Sequence, residues 1–429
     1  MDRKTGLVTK FLEIAEATRQ IGFECLFDRK QDTFMTHDKV YGVDPKVHAQ
    51  YQRFPEALLK ENESGKRFSL TTTESMMQES IARLVDGQPT IESAVLEVEG
   101  LLRTLSEDQP EQDGLYEVPG VILPKRSRPY LLAGARVTRL SSRDYDSLVR
   151  RCKRVCSGVS KKGAYSAMFK PHLDRLKGKT VMWCSYAAEP NRAQKLSLET
   201  LDWVIILLKY ACMALTLDNN DMAIGIRVVP SVEYFIIPKE SDSIILGAQA
   251  TGKYMPWQVR SSDRDRMYEA GVFVLSDIVV KSRNAKKPDP KSFESALLQA
   301  LQWTVTSLDL VTNGSKIVAL AVALETIFSP YASSSLTSTI AEGTAMTISR
   351  DQAKRQQICE RMKVLYNMRS ESVHGRKESA SDWDVLEMGH MVTSVISVLC
   401  RHAAEYDSLA GFSAALSKAK LTGQVFKGR

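Results

Sequence analysis

The sequence has no uninterrupted apolar run of the 18 or more residues that a membrane-spanning helix needs. Its best candidate, Trp203 to Leu217, is broken by Lys209 and reads as a buried helix. The N-terminus opens Met1, Asp2, Arg3, Lys4 and continues as an amphipathic run without the apolar core or cleavage site of an export signal. Seven cysteines lie scattered at 25, 152, 156, 184, 212, 359 and 400. Their odd number and spacing fit reduced intracellular thiols better than a disulfide framework. A cytoplasmic protein with no membrane association is the expectation. Familiar catalytic signatures are equally scarce. Gly252–Lys253 lacks the upstream glycine of a phosphate-cradling loop, and there is no His-Glu-x-x-His pair and no Gly-x-Ser-x-Gly elbow. The six histidines, at 37, 48, 172, 374, 390 and 402, are not spaced as a metal cluster. Cys152 and Cys156 have no second pair to complete a metal site. Neither a metal nor a cofactor is expected.

What is present is a chain of 429 residues, 43% hydrophobic and 25% charged, an ordinary globular composition long enough for two or three domains. The net charge of +7 is unevenly placed. Residues 1–120 sum to −8, whereas residues 121–180 carry 16 basic and 3 acidic side chains. Such a block suits a phosphate backbone, or else it is a solvated face opposite the acidic N-terminal part. Arg150, Arg151, Lys153 and Arg154 are its densest cluster.

Hydrophobic periodicity points to an α+β protein with three regions. Residues 1–114 read as mostly helical, with Leu7, Phe11, Ile14 and later Ile81, Leu84, Val95 and Leu101 at helical spacing. Residues 115–290 read as mixed α/β and are expected to be a sensor or regulatory region. Strands are expected at 130–140, 180–186, 224–230, 232–237 and 243–248, and helices at 197–216 and 263–276. The polar stretch Lys281 to Pro290 reads as a domain boundary. Residues 291–429 read as an all-helical bundle, with helices at 293–308, 318–328, 351–368 and 382–406, a loop at 333–339 and a basic tail after Gly411. His390 and His402 read as structural, and the tryptophans at 257, 303 and 383 as packing or boundary residues.

One motif remains. Leu365-Tyr366-Asn367-Met368-Arg369-Ser370-Glu371-Ser372-Val373-His374-Gly375 ends a strong helix, and Ala323-Leu324-Glu325-Thr326-Ile327-Phe328 lies on the helix before it. Together these resemble the HEPN superfamily, specifically its ApeA-like branch, over about residues 291–408. The carrying features are an arginine, four intervening residues, a histidine, and a Leu-Glu helix upstream. Physical chemistry is compatible with that likeness. Histidine titrates near pH 6.5 and can move protons at neutrality. The arginine fork matches phosphate oxygens. On a continuous helix, residues five apart diverge by about 140°. Either Gly375 ends the helix and frees His374, or two protomers share one cleft.

The resemblance implies a metal-independent endoribonuclease of prokaryotic defence or toxin type, a homodimer through the bundle, with Arg369, His374 and Glu325 catalytic. It implies RNA as substrate, tRNA among the candidates, and a phage-derived trigger or regulatory partner. Glu325 is either a buried acid orienting Arg369 or a hydroxyl, or an ordinary exposed glutamate. Candidate RNA contacts are Tyr366 (equally a packing residue), Asn367, Ser370, Arg361, Lys363, Arg376 and Lys377, together with Arg150, Arg151, Lys153 and Arg154. The alternative is a non-catalytic nucleic-acid-binding or signalling protein that uses the bundle to dimerise.

Overall fold

A computed structural model describes residues 3–21, 32–36, 39–61, 67–125, 127–158, 169–216, 232–238, 245–249, 257–285, 289–329, 335–373 and 380–422. The chain divides into two compact units. The first comprises Met1–Gly114, Ser185–Ser197 and Ile236–Ser243, and the second Leu115–Cys184, Leu198–Phe235 and Ile244–Arg429. One division thus follows Gly114, and none falls near residue 290.

The first unit contains α1 (Arg3–Glu16), β1 (Thr18–Ile21), β2 (Asp32–Thr36), β3 (Lys39–Val43), α2 (His48–Glu61), α3 (Leu70–Gly87) and α4 (Ile91–Ser106). The expectation of a mostly helical region overlooked an antiparallel sheet of order β1-β3-β2. Its strands have only four or five residues, too few for alternation to stand out from the helical pattern around them. Phe11 stacks on Phe54 and Phe34 on Tyr41, each with ring centroids 5.2 Å apart, and Met77, Ile81 and Val98 close the core. Ser69 caps α3, and a Thr90–Ser93 capping box starts α4, each satisfying backbone N–H groups that the first turn leaves unpaired.

The second unit is α+β. From residue 111 the chain forms β4 (Glu111–Glu117), β5 (Val121–Ile122), β6 (Tyr130–Leu132), β7 (Ala135–Arg139), α5 (Ser142–Gly158), α6 (Lys170–Leu176), β8 (Thr180–Ala187) and α7 (Pro190–Thr216), of which Glu111–Gly114 and Ser185–Ser197 are counted in the first unit. Next come β9 (Val232–Pro238), β10 (Ile245–Gln249), β11 (Trp257–Gln258), α8 (Asp263–Glu269) and α9 (Val272–Asn284). Six of the strands form one sheet of order β10-β9-β4-β8-β7-β6. The stretch 130–140, read as one strand, is a hairpin. Ala133 and Gly134 both have positive φ, the conformation a two-residue turn between twisted strands requires. The strand expected at 224–230 lies outside the described residues.

Six more helices complete the unit: α10 (Phe293–Asp309), α11 (Asn313–Phe328), α12 (Leu336–Ile348), α13 (Gln352–Val373), α14 (Asp382–Arg401) and α15 (Leu409–Thr422). Ser292, Thr312, Ser335 and Ser381 cap α10, α11, α12 and α14 through their hydroxyls. Two expectations change here. The serine-rich stretch read as a loop at 333–339 contains the start of α12, because Ser335 acts as its cap. The basic tail contains α15, whose Phe412 is fully buried against Phe293, Phe328 and Tyr406. Helix α11 packs on α10, α13 and α14, and α12 packs on α13. Trp257 is buried, and Trp303 and Trp383 are exposed. Lys209, which interrupts the apolar run of α7, is buried and paired with Asp309 at 2.6 Å. Among the described residues no helix is long and apolar enough to cross a membrane.

Candidate functional site

Helix α11 is apolar on most of its surface, and Glu325 is its partly buried exception. The carboxylate meets two residues of α13. Tyr366 Oη donates to Glu325 Oε1 at 2.6 Å, and Arg369 Nε stands 3.3 Å from the same oxygen. Tyr366 and Arg369 are three apart and so share a helix face, which places the guanidinium carbon 5.9 Å from the tyrosine ring. The ion pair is a contact of charges rather than an aligned hydrogen bond, because Arg369 Nε is buried without a hydrogen-bond partner among the described residues. Neither Nη of Arg369 hydrogen-bonds to a described residue. Burial, then the hydrogen bond to Glu325 and the charge of that carboxylate, push the Tyr366 phenol well above its ordinary range. The phenol therefore stays a neutral donor at physiological pH. Three of the candidate residues thus form one cluster, with Glu325 touching both Arg369 and a hydroxyl.

The other candidates fall in different places. His374, Arg376 and Lys377 lie outside the described residues. Lys363, Asn367 and Ser370 are exposed or half-exposed on α13. Arg361 is committed elsewhere: it bonds Asp384 at 2.5 Å and Glu387 at 2.7 Å, fastening α13 to α14. Asp384 also closes the capping box of α14 with Ser381. Burial opposes the charge on Asp384, but the Ser381 hydrogen bonds and the Arg361 guanidinium outweigh it and hold the carboxyl below the usual range. A spacing of three between Asp384 and Glu387 was the available sign of this fork, since it puts both acids on one helix face.

The basic cluster of residues 150–154 sits on α5, which packs on α6 apart from the α10–α14 bundle. Tyr145, Leu148 and Cys152 are its buried side, while Arg150, Lys153 and Arg154 are exposed and Arg151 is half-buried. Part of the block's charge is used internally. Arg139 donates to the carbonyls of Gly178 and Leu123, Lys179 pairs with Glu117, and Lys170 pairs with Asp174. Among the described residues there is no group of three or more His, Cys, Asp or Glu side chains placed to hold a metal ion. His402 bonds Glu405 at 2.9 Å, whereas His390 is exposed and lines a cavity that sequence patterning gave no sign of.

The chain matches no protein-family model, and no curated protein or solved structure matches it.

Proposed function

We propose that this chain is a metal-independent endoribonuclease of HEPN type, with α10–α14 as the HEPN-like bundle, acting as a defence effector or toxin. The observation that carries the reading is the Glu325–Tyr366–Arg369 cluster. It holds one edge of a guanidinium against a carboxylate and a phenol, five residues before a histidine in sequence. In this reading Arg369 binds the scissile phosphate through its Nη atoms and stabilises the charge that develops on it. His374 takes the proton of the ribose 2′-hydroxyl as that oxygen attacks phosphorus. The leaving 5′-oxygen needs an acid, which His374 of a second copy supplies if the chains pair about a two-fold axis. Glu325 and Tyr366 are positioning residues that set the guanidinium's orientation.

The test is RNA integrity with the purified full-length chain in excess EDTA. Cleavage should persist under chelation. Arg369→Ala and His374→Ala should each lower it by roughly a hundredfold or more without changing the unfolding midpoint. Activity that vanishes with EDTA and returns with a divalent ion overturns the mechanism. A second reading rests on the exposed cations of α5: a nucleic-acid-binding protein without turnover. It predicts that the wild type and His374→Ala bind RNA equally and leave it equally intact.

A further inference from the structure

The second unit holds a cavity of about 610 Å³, bounded by the end of α7, by α8, by the α12–α13 connection and by one face of α14. That volume is in the range of sites that enclose one small ligand. Leu215, Ile358, Met391 and Val398 line it with apolar side chains, while Arg266, Lys354 and Arg401 bring three fixed positive charges and His390 a titratable one.

Two carboxylates, Glu269 and Glu387, also line the cavity, and Glu387 is already paired with Arg361 at 2.7 Å. Arg266 is braced by donating to the carbonyl of Leu215 at 2.7 Å and stands 3.8 Å from Asp263, which leaves Lys354 and Arg401 as the cations against Glu269. Lys354 Nζ and the Arg401 guanidinium have no ion-pair or hydrogen-bond partner among the described residues, and both are exposed. Lys354 stands in the first turn of α13, where Asp351 already caps the helix by accepting from the Lys354 backbone N–H at 2.8 Å. An anion in the cavity would pair with the ammonium. Ser394 also lines the cavity, as does Ser349, whose hydroxyl is engaged with the backbone of Asp351.

From this arrangement we infer that the cavity is a nucleotide site: a nucleoside phosphate binds with its base against the apolar side chains and its phosphates between Lys354, Arg401 and Arg266. The inference does not rest on the ribonuclease reading, since none of the residues used is Arg369, His374, Glu325 or Tyr366. A cavity lined in part by apolar side chains favours one mononucleotide over a polymer backbone, which asks for an open track of cations.

Isothermal titration of the full-length chain with each of the four ribonucleoside triphosphates, with the matching nucleosides and with pyrophosphate tests it. At least one triphosphate should bind, and more tightly than either its nucleoside or pyrophosphate. Lys354→Ala and Arg401→Ala should each weaken it about tenfold, as expected for loss of one charged hydrogen bond. Both residues are exposed, so thermal unfolding of the unliganded variants should match wild type. Arg369→Ala should leave binding unchanged. The assignment is overturned if no triphosphate binds at millimolar concentration, or if pyrophosphate alone binds as tightly. Variants that bind like wild type, or loss of binding in Arg369→Ala, overturn it as well.

Discussion

Tyr366 Oη donates a 2.6 Å hydrogen bond to Glu325 Oε1, joining two helices whose residues stand 41 positions apart. The same oxygen faces Arg369 Nε, so the phenol and the guanidinium compete for one carboxylate. The phenol's raised pKa means that folding favours its protonated form. That contribution to stability is fully present below the ordinary tyrosine value of about 10 and is lost as pH rises through the folded-state value. Tyr366→Phe should cost about 1–2 kcal/mol in urea unfolding at pH 7. If Tyr366 positions Arg369, the variant should also shift the pH profile of RNA cleavage. A stability loss with an unchanged profile would make the tyrosine a packing residue only.

Asp384 joins the start of α14 to α13 and should make this part of the unit acid-sensitive. Its carboxyl is held below the usual range, so the stabilisation is present above the unfolded-state value of about 3.9 and is lost as pH falls through the folded-state value. Asp384→Asn should lower the unfolding midpoint at pH 7. The gap from wild type should close as pH approaches about 2, and a gap that is constant with pH would contradict this assignment.

Gly271 occupies a left-handed conformation at φ 79°, and a Cβ there would come within 2.5 Å of Cys400 Cβ. Gly271→Ala therefore meets both backbone strain and a steric clash where α9 approaches α14. A loss of roughly 2–4 kcal/mol is expected. Calorimetry of the variant beside Gly6→Ala, where no atom lies within 4 Å of an added Cβ, separates this clash from a general effect of removing glycine.

Burial pushes the Cys400 thiol up to about 12. Alkylation at about pH 8 followed by peptide mapping should leave Cys400, Cys152 and Cys212 unmodified in the native protein. Cys359 should react before Cys152, Cys184, Cys212 and Cys400, because those four are buried and it is half-exposed. Rapid labelling of Cys400 would show that α14 opens from the bundle.

The exposed cations of α5 can be tested by salt dependence. Neutralising Arg150, Arg151, Lys153 and Arg154 together should reduce RNA affinity and lower the slope of log K against log salt, by about one for each phosphate no longer neutralised. An unchanged slope would assign these charges to a solvated face.

The helices of the last third were legible because their apolar stripes, as in Phe293, Ala296, Leu297, Ala300 and Leu301, repeat at the helical period over many residues. Short elements were less so. The strands of the first unit and the Ala133–Gly134 hairpin span too few residues for periodicity to register, and α15 has one buried aromatic anchor rather than a stripe. The sequence alone also singled out Arg369, Tyr366 and Glu325, through residue type and order. Which of them touch was decided by tertiary packing, because the side chains come from helices that are close in space and not in the chain. The same holds for Lys209 and Asp309, 100 residues apart, and for Arg361 with Asp384. Composition counts a charge but does not say whether it will be solvated or paired. Only packing decided that Arg361 would fasten two helices, while Lys354, seven residues earlier, would face an open cavity.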